Sequence, residues 1–145
     1  MRIGIDIGGT KIEGIAIDQN GQILFRERIS TPAGNYRATV SSVASLVDRI
    51  ERDTGKSGSV GIGIPGALSP DTGLVKNANS TCLIGKPLAS DLRDALHRTV
   101  RIANDADCFA LSEATDGAGK GYPSVFGVIL GTGVGGGLVI AGALV

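Results

Sequence analysis

Tryptophan is absent from these 145 residues, histidine occurs once, methionine once and cysteine twice. The single histidine, His97, excludes within this chain a metal centre built on several histidines. Cys82 and Cys108 have neither CxxC spacing nor a disulfide framework around them, so reduced thiols are expected. Charge of either sign is also missing in excess, with 14 basic and 14 acidic residues. No basic stripe and no basic-aromatic interleaving is present, which leaves nucleic-acid binding without electrostatic support. No apolar run is long enough to span a bilayer. The first residues already read as a strand, without the basic and apolar regions of a leader peptide. A cytoplasmic protein with no membrane partner is the expectation. What is abundant is glycine, 23 residues, beside a hydrophobic content of 42%, enough for a core. The length suits one domain or slightly more.

The chain is easiest to read from residues 3–18. Two apolar-alternating runs flank Gly8-Gly9-Thr10, which predicts two strands and a tight turn. Backbone N–H groups in a turn without bulky side chains admit phosphate. Asp6 at its edge can hold Mg²⁺ through water. On this segment alone, an ordinary glycine-turn hairpin is the better reading. Residues 2–8, 11–18 and 21–29 form an antiparallel meander, with Asn20-Gly21 as the second turn. Tyr36, Val40, Val43, Ala44, Val47 and Ile50 recur at helical spacing, and Gly55 ends that helix. Residues 59–64 read as a buried parallel strand, bent at its end by Pro65-Gly66; ligands of open α/β sheets sit beyond such ends. Residues 67–78 read as an irregular hairpin. The short polar side chains of 77–81 suit either sugar hydroxyls or their own backbone. A second helix surrounds Leu88, Leu92 and Leu96, with Pro87 in its first turn, and His97 near its end receives no role. A short strand at 100–103 runs into a helix that begins at Asn104-Asp105, where either residue makes a good N-cap.

The polar, glycine-rich stretch 116–123 suggests a crossover or boundary. After it come a strand at 124–130, a glycine turn at 131–137 and a strand from Leu138 to Ala141. This strand–turn–strand unit repeats the opening one, which points to two similar domains. Gly131, Gly133 and Gly136 also match the Gly-x-Gly-x-x-Gly fingerprint. That fingerprint requires a helix straight after the glycines, and the sequence there is strand-like. The Gly-Lys-Ser/Thr of a P-loop is absent as well. Two glycine hairpins remain, a pair suited to holding a nucleotide's phosphates from both sides.

Four motifs then carry a family resemblance: Asp-Ile-Gly-Gly-Thr-Lys at 6–11, Gly-Ile-Pro-Gly at 63–66, Asn-Asp-Ala at 104–106 and Leu-Gly-Thr-Gly-Val-Gly-Gly-Gly at 130–137. In this order and spacing the chain resembles the ROK sugar kinases over essentially its whole length. The segment Val-Lys-Asn-Ala-Asn-Ser-Thr at 75–81 resembles the bacterial fructokinases (mannose/fructose kinases) of that family most. Bacterial N-acetylglucosamine kinases are close behind. The resemblance implies an α/β fold of the actin-like, ribonuclease-H-like ATPase class: a mixed sheet with an antiparallel meander and flanking helices. It implies an N-terminal domain over 1–120 and, over 121–145, the first hairpin of a truncated second domain.

The family's chemistry is ATP-dependent phosphorylation of a hexose hydroxyl, the sugar 6-OH. On this resemblance Asp105 is the catalytic base. Asn79, Asn104 and Asp105 bind the sugar, and Gly66 shapes its pocket. Gly8, Gly9, Thr10 and Lys11 form the first phosphate loop, and Gly131, Thr132 and Gly133 the second. Asp6 is the Mg²⁺-side carboxylate of Mg-ATP. Family members are about twice as long. Their second domain holds further sugar ligands, the adenine site and a structural zinc cluster, to which Cys82 and Cys108 do not correspond. The resemblance also implies a homodimer for the full-length protein, with fructose as the hexose and an isolated fragment that is inactive. Two other readings stand beside it. One is a non-catalytic sugar- or phosphate-binding domain. The other, the family's sugar-responsive repressors, is disfavoured because those carry a helix-turn-helix before the first hairpin.

Overall fold

The structure, a computed structural model, describes residues 1–130 and 134–145. It divides into two compact units, Met1–Ile102 and Ala103–Val145. In the first, strands β1 (Arg2–Ile7), β2 (Lys11–Ile17) and β3 (Ile23–Ser30) form the expected antiparallel meander. The period-two alternation of β1 puts Ile3, Ile5 and Ile7 into the core and leaves Asp6 on the other face. Helix α1 (Tyr36–Thr54) starts at Asn35, whose side chain accepts the Ala38 N–H at 3.0 Å. It ends at Gly55, left-handed at φ 64°, as the sequence predicts. Its buried stripe of Val43, Leu46, Val47 and Ile50 packs closely on the sheet. A Cβ on Gly14 of β2 would stand 2.9 Å from Leu46 Cδ2, so that residue must be small for the helix to seat.

Strand β4 (Ser59–Ile64) pairs parallel with β1, with Asp6 opposite Gly63. Beyond it lie the small hairpin β5 (Ala67–Leu68) and β6 (Val75–Lys76), then a 3₁₀ turn at Thr81–Leu83 that the sequence reading lacks. Helix α2 (Leu88–Leu96) buries Leu88, Leu92 and Leu96; Pro87 is its N-cap, one residue before the expected first turn. His97 terminates α2 in a left-handed conformation at φ 52°. Strand β7 (Val100–Asn104) completes the sheet order β3-β2-β1-β4-β7.

One ion pair ties the last turn of α1 to the residue that follows the cap of α2. The Arg98 guanidinium donates to both Glu51 oxygens at 2.6 and 2.8 Å, and Glu51 also accepts the Gly58 N–H at 3.1 Å. The Arg98 hydrogen bonds, helped by the Gly58 N–H, hold the Glu51 carboxyl below its usual value of 4.5 against the opposing effect of burial. A depressed carboxylate pKa stabilises the fold above the unfolded-state value, and that contribution disappears as pH falls through the folded-state value. Arg98→Ala is therefore expected to cost about 1–2 kcal/mol at neutral pH. The gap from wild type should narrow as acid protonates Glu51. Urea denaturation at pH 7 and at acidic pH checks both parts; a gap that does not change with pH rejects the ionic origin.

The second unit contains helix α3 (Asp105–Thr115) and strands β8 (Ser124–Leu130), β9 (Val134–Ile140) and β10 (Ala143–Leu144), in the order β10-β9-β8. The expected glycine turn over 131–137 is corrected over its described part, 134–137, because β9 begins at Val134 and pairs it with Leu130. Gly135 and Gly137 answer a different need. A Cβ on Gly137 would lie 2.6 Å from the Ala106 carbonyl oxygen and 2.8 Å from Ala110 Cβ, and one on Gly135 3.0 Å from Ala106 Cβ. Gly127, Gly135 and Gly137 leave room for α3, which rests directly on this hairpin. The strand residues on its other face, Phe126, Val128, Leu130, Val134, Leu138 and Ile140, are large, apolar and exposed.

Candidate functional site

The turn between β1 and β2 is closed by the Gly8 N–H, which donates to the Lys11 carbonyl at 2.9 Å. A Cβ on Gly8 would stand 2.8 Å from that same oxygen, so only glycine fits. Two further carbonyls of the turn are drawn back by one residue that the sequence reading missed. The Thr31 hydroxyl donates to Gly8 O at 2.8 Å, and the Thr31 N–H donates to Thr10 O at 3.0 Å. With the Gly8, Thr10 and Lys11 carbonyls engaged, the turn is held in one shape, and Gly9, Thr10 and Lys11 are exposed around it. Thr31 appears in the sequence only as part of a Thr-Pro-Ala-Gly break; its contact lies 23 residues away, which no local pattern signals.

Asp6 stands two residues before the turn, exposed, with Glu13 as its register partner and Arg28 beyond Glu13 on β3. Hydrogen bonds from Arg28 and then Arg26 hold Glu13 below the usual carboxylate range, so Glu13 is committed to this ion pair. Among the described residues no cluster of three His, Cys, Asp or Glu forms a metal cage. A carboxylate at this place is of the oxygen-donor type that Mg²⁺ takes, an ion that keeps several waters when protein-bound.

The predicted sugar-side residues of the first unit come together through the bend at Pro65. The Pro65 carbonyl accepts the Asn79 N–H at 3.1 Å, and the Gly66 N–H bonds Ile64 O at 2.9 Å. A Cβ on the buried Gly66 would meet Lys76 O at 2.8 Å and Ala78 Cβ at 2.9 Å, so glycine lets the 75–79 strand and loop close over the bend. Asn79 and Gly9 line one open cavity of about 210 Å³, together with Thr31, Thr39, Ser80 and Thr81. Every side chain lining this cavity is uncharged, and hydroxyl and amide groups supply its polarity. Ser80 and Thr81 belong to the polar run 77–81 that the sequence offered for sugar hydroxyls, whereas Thr39 is absent from the sequence-derived set, because its place beside them depends on α1 meeting the 3₁₀ turn.

In the second unit Asn104, not Asp105, caps α3. Its side-chain oxygen accepts the Ala106 N–H at 2.9 Å and the Asp107 N–H at 3.4 Å. Asp105 is the first helical residue, half-buried, and one of its oxygens lies 2.8 Å from the Ala106 nitrogen. The ambiguity over which of the two is the cap is thereby resolved, and Asp105 is not needed to start the helix. Gly131, Thr132 and Gly133, the expected second phosphate loop, lie outside the described residues.

Comparison with known proteins agrees with these motifs. The ROK family model matches residues 2–145. An N-acetyl-D-glucosamine kinase of Yersinia pestis bv. Antiqua (strain Nepal516) is 47% identical over 145 residues, covering all of this chain and 57% of the relative. An N-acetyl-D-glucosamine kinase of Escherichia coli O1:K1 / APEC is 49% identical over 142 residues, 98% of this chain and 47% of the relative. The chain thus spans about half the length of the curated relatives it matches. Among solved structures, a ROK family glucokinase from Streptomyces griseus in complex with glucose and AMPPNP superposes with a TM-score of 0.87 at 33% identity, over 99% of this chain and 45% of that one.

Proposed function

The chain belongs to the ROK family, and on that premise we propose that the whole protein is an ATP-dependent hexose kinase to which this chain contributes the first phosphate turn, part of the sugar site and the catalytic base. The observation that carries this reading is the shared cavity, in which Gly9 of the phosphate turn and Asn79 of the sugar-side loop line the same space. Phosphoryl transfer asks a protein mainly to position reactants and to neutralise charge. The 8–11 turn would take the γ- and β-phosphates, and Lys11 would offset their charge. Asp6 would hold Mg²⁺ through water, the ion supplying charge neutralisation when bound. Asn79 and Asn104 would orient the sugar, with Gly66 shaping its pocket. Asp105 would accept the proton of the sugar 6-OH as that oxygen bonds to phosphorus, while the bond to the ADP oxygen breaks. Gly131, Thr132 and Gly133 would form the second phosphate loop.

The domain division that goes with this proposal is an N-terminal actin-like domain over 1–120 and, over 121–145, the first hairpin of a second. The exposed apolar face of β8 and β9 supports it, since such a face suits a covering layer. Two acceptors compete. Fructose rests on the 75–81 segment. N-acetylglucosamine rests on the relatives at 47–49% identity. Coupled ADP-release assays of the whole protein against fructose, N-acetylglucosamine, glucose and mannose decide between them. Hexose-dependent ADP formation is the expected result, and its absence with every sugar rejects the kinase reading.

A further inference from the structure

Ser80 sits between Asn79 and the 3₁₀ turn, and its carbonyl accepts the Leu83 N–H at 3.0 Å. Its side chain makes no capping bond to that turn. The hydroxyl oxygen is sealed from solvent and, among the described residues, has no hydrogen-bond partner. Buried polar groups are nearly always satisfied, so a hydroxyl without a partner here calls for one, which a contact made in another state of the protein can supply. The neighbour that could supply it is specific. A Cβ built on Gly9 would lie 3.6 Å from Ser80 Oγ, which sets this hydroxyl beside the glycine of the phosphate turn. Ser80 and Gly9 also line the same cavity as Asn79 and Thr81. Gly8 O and Thr10 O are already engaged by Thr31, which leaves the Gly9 peptide as the group a small approach of the two loops would bring within reach.

We propose that Ser80 is a positioning residue that couples the sugar-side loop to the phosphate turn, its hydroxyl taking up a hydrogen bond with the Gly9 peptide when both ligands are seated. This rests on the kinase reading above. A hydroxyl both donates and accepts, so either group of that peptide serves. The cost of the unpaired hydroxyl is carried by the free protein and relieved only when the loops close. Binding of sugar therefore favours binding of nucleotide, and by linkage the reverse holds to the same degree.

The test uses the whole protein, the hexose selected by the panel above, and AMPPNP as a non-transferring nucleotide. Calorimetry gives AMPPNP affinity with and without saturating hexose, and thermal melting gives the stability of the free protein. In wild type, hexose is expected to tighten AMPPNP binding. In Ser80→Ala that tightening should shrink by about three- to tenfold, the worth of one hydrogen bond. The free variant should melt at the wild-type temperature or above it, because the unpaired oxygen is gone. A merely structural hydroxyl gives the opposite pattern, a lower melting temperature with coupling intact, and that result overturns the proposal. Wild-type protein that binds both ligands without coupling also overturns it and leaves the kinase reading standing. Wild-type protein that binds neither ligand rejects the kinase reading and this proposal with it.

Discussion

Asp105→Asn in the whole protein is expected to fold as wild type does and to lose roughly 10²–10⁴-fold in kcat, the usual worth of a positioned general base. The structure separates these two outcomes. Helix α3 is capped by Asn104, so the residue after it can change without removing the cap. An asparagine at 105 keeps the shape and an oxygen able to accept the Ala106 N–H, as Asp105 does now at 2.8 Å. What it loses is the capacity to take a proton. KM for hexose and for ATP should change little, because the sugar hydroxyl still finds a polar partner there. Asn104→Ala differs in losing about 1 kcal/mol of stability with the missing cap and, as a sugar-orienting residue of the proposed site, in raising KM for hexose. Steady-state kinetics beside thermal melting resolves the pair. Asp105→Asn turning over at the wild-type rate removes the base assignment.

Much of the first unit is legible because its determinants are local. The alternation of Ile3, Ile5 and Ile7 states which face of β1 is buried, and Gly55 states where α1 stops. The turn at Gly8-Gly9-Thr10 was legible as a turn for the same reason. What the sequence reading could not supply are requirements set by distant partners. Gly14 is glycine because Leu46 arrives from α1, and Gly137 because Ala106 and Ala110 arrive from α3. Read locally, a glycine run signals a turn, which is why β9 was expected to begin at Leu138 and in fact begins at Val134. Thr31 and Thr39 escaped for the same cause, since each reaches the cavity from an element remote in sequence. Asn104 and Asp105 fall between these cases. The motif located the helix start to within one residue, and only the hydrogen bonds decide which of the two is the cap.

Gly8→Ala is expected to injure both the fold and nucleotide binding. The added methyl would lie 2.8 Å from the Lys11 carbonyl oxygen, a backbone atom with no rotamer to move away. Relief requires the turn to open, which lengthens the 2.9 Å Gly8–Lys11 hydrogen bond and disturbs the 2.8 Å bond from the Thr31 hydroxyl to Gly8 O. A steric clash of this kind with two displaced hydrogen bonds costs about 2–3 kcal/mol of stability. Because the phosphates are to be met by the backbone of this turn, KM for ATP should rise by roughly 10- to 100-fold, as loss of about 1.4–2.8 kcal/mol of binding requires. Gly9→Ala is the matched control for the fold. Its methyl would rest 3.6 Å from Ser80 Oγ, an ordinary contact, so its denaturation midpoint should stay close to wild type. Equilibrium denaturation of both variants and ATP titration of their hexose-dependent turnover make the comparison. Should Gly8→Ala unfold earlier yet keep its ATP dependence, the turn is structural and the nucleotide is held elsewhere. Should it match Gly9→Ala in stability, the close approach of Gly8 to Lys11 does not constrain the turn.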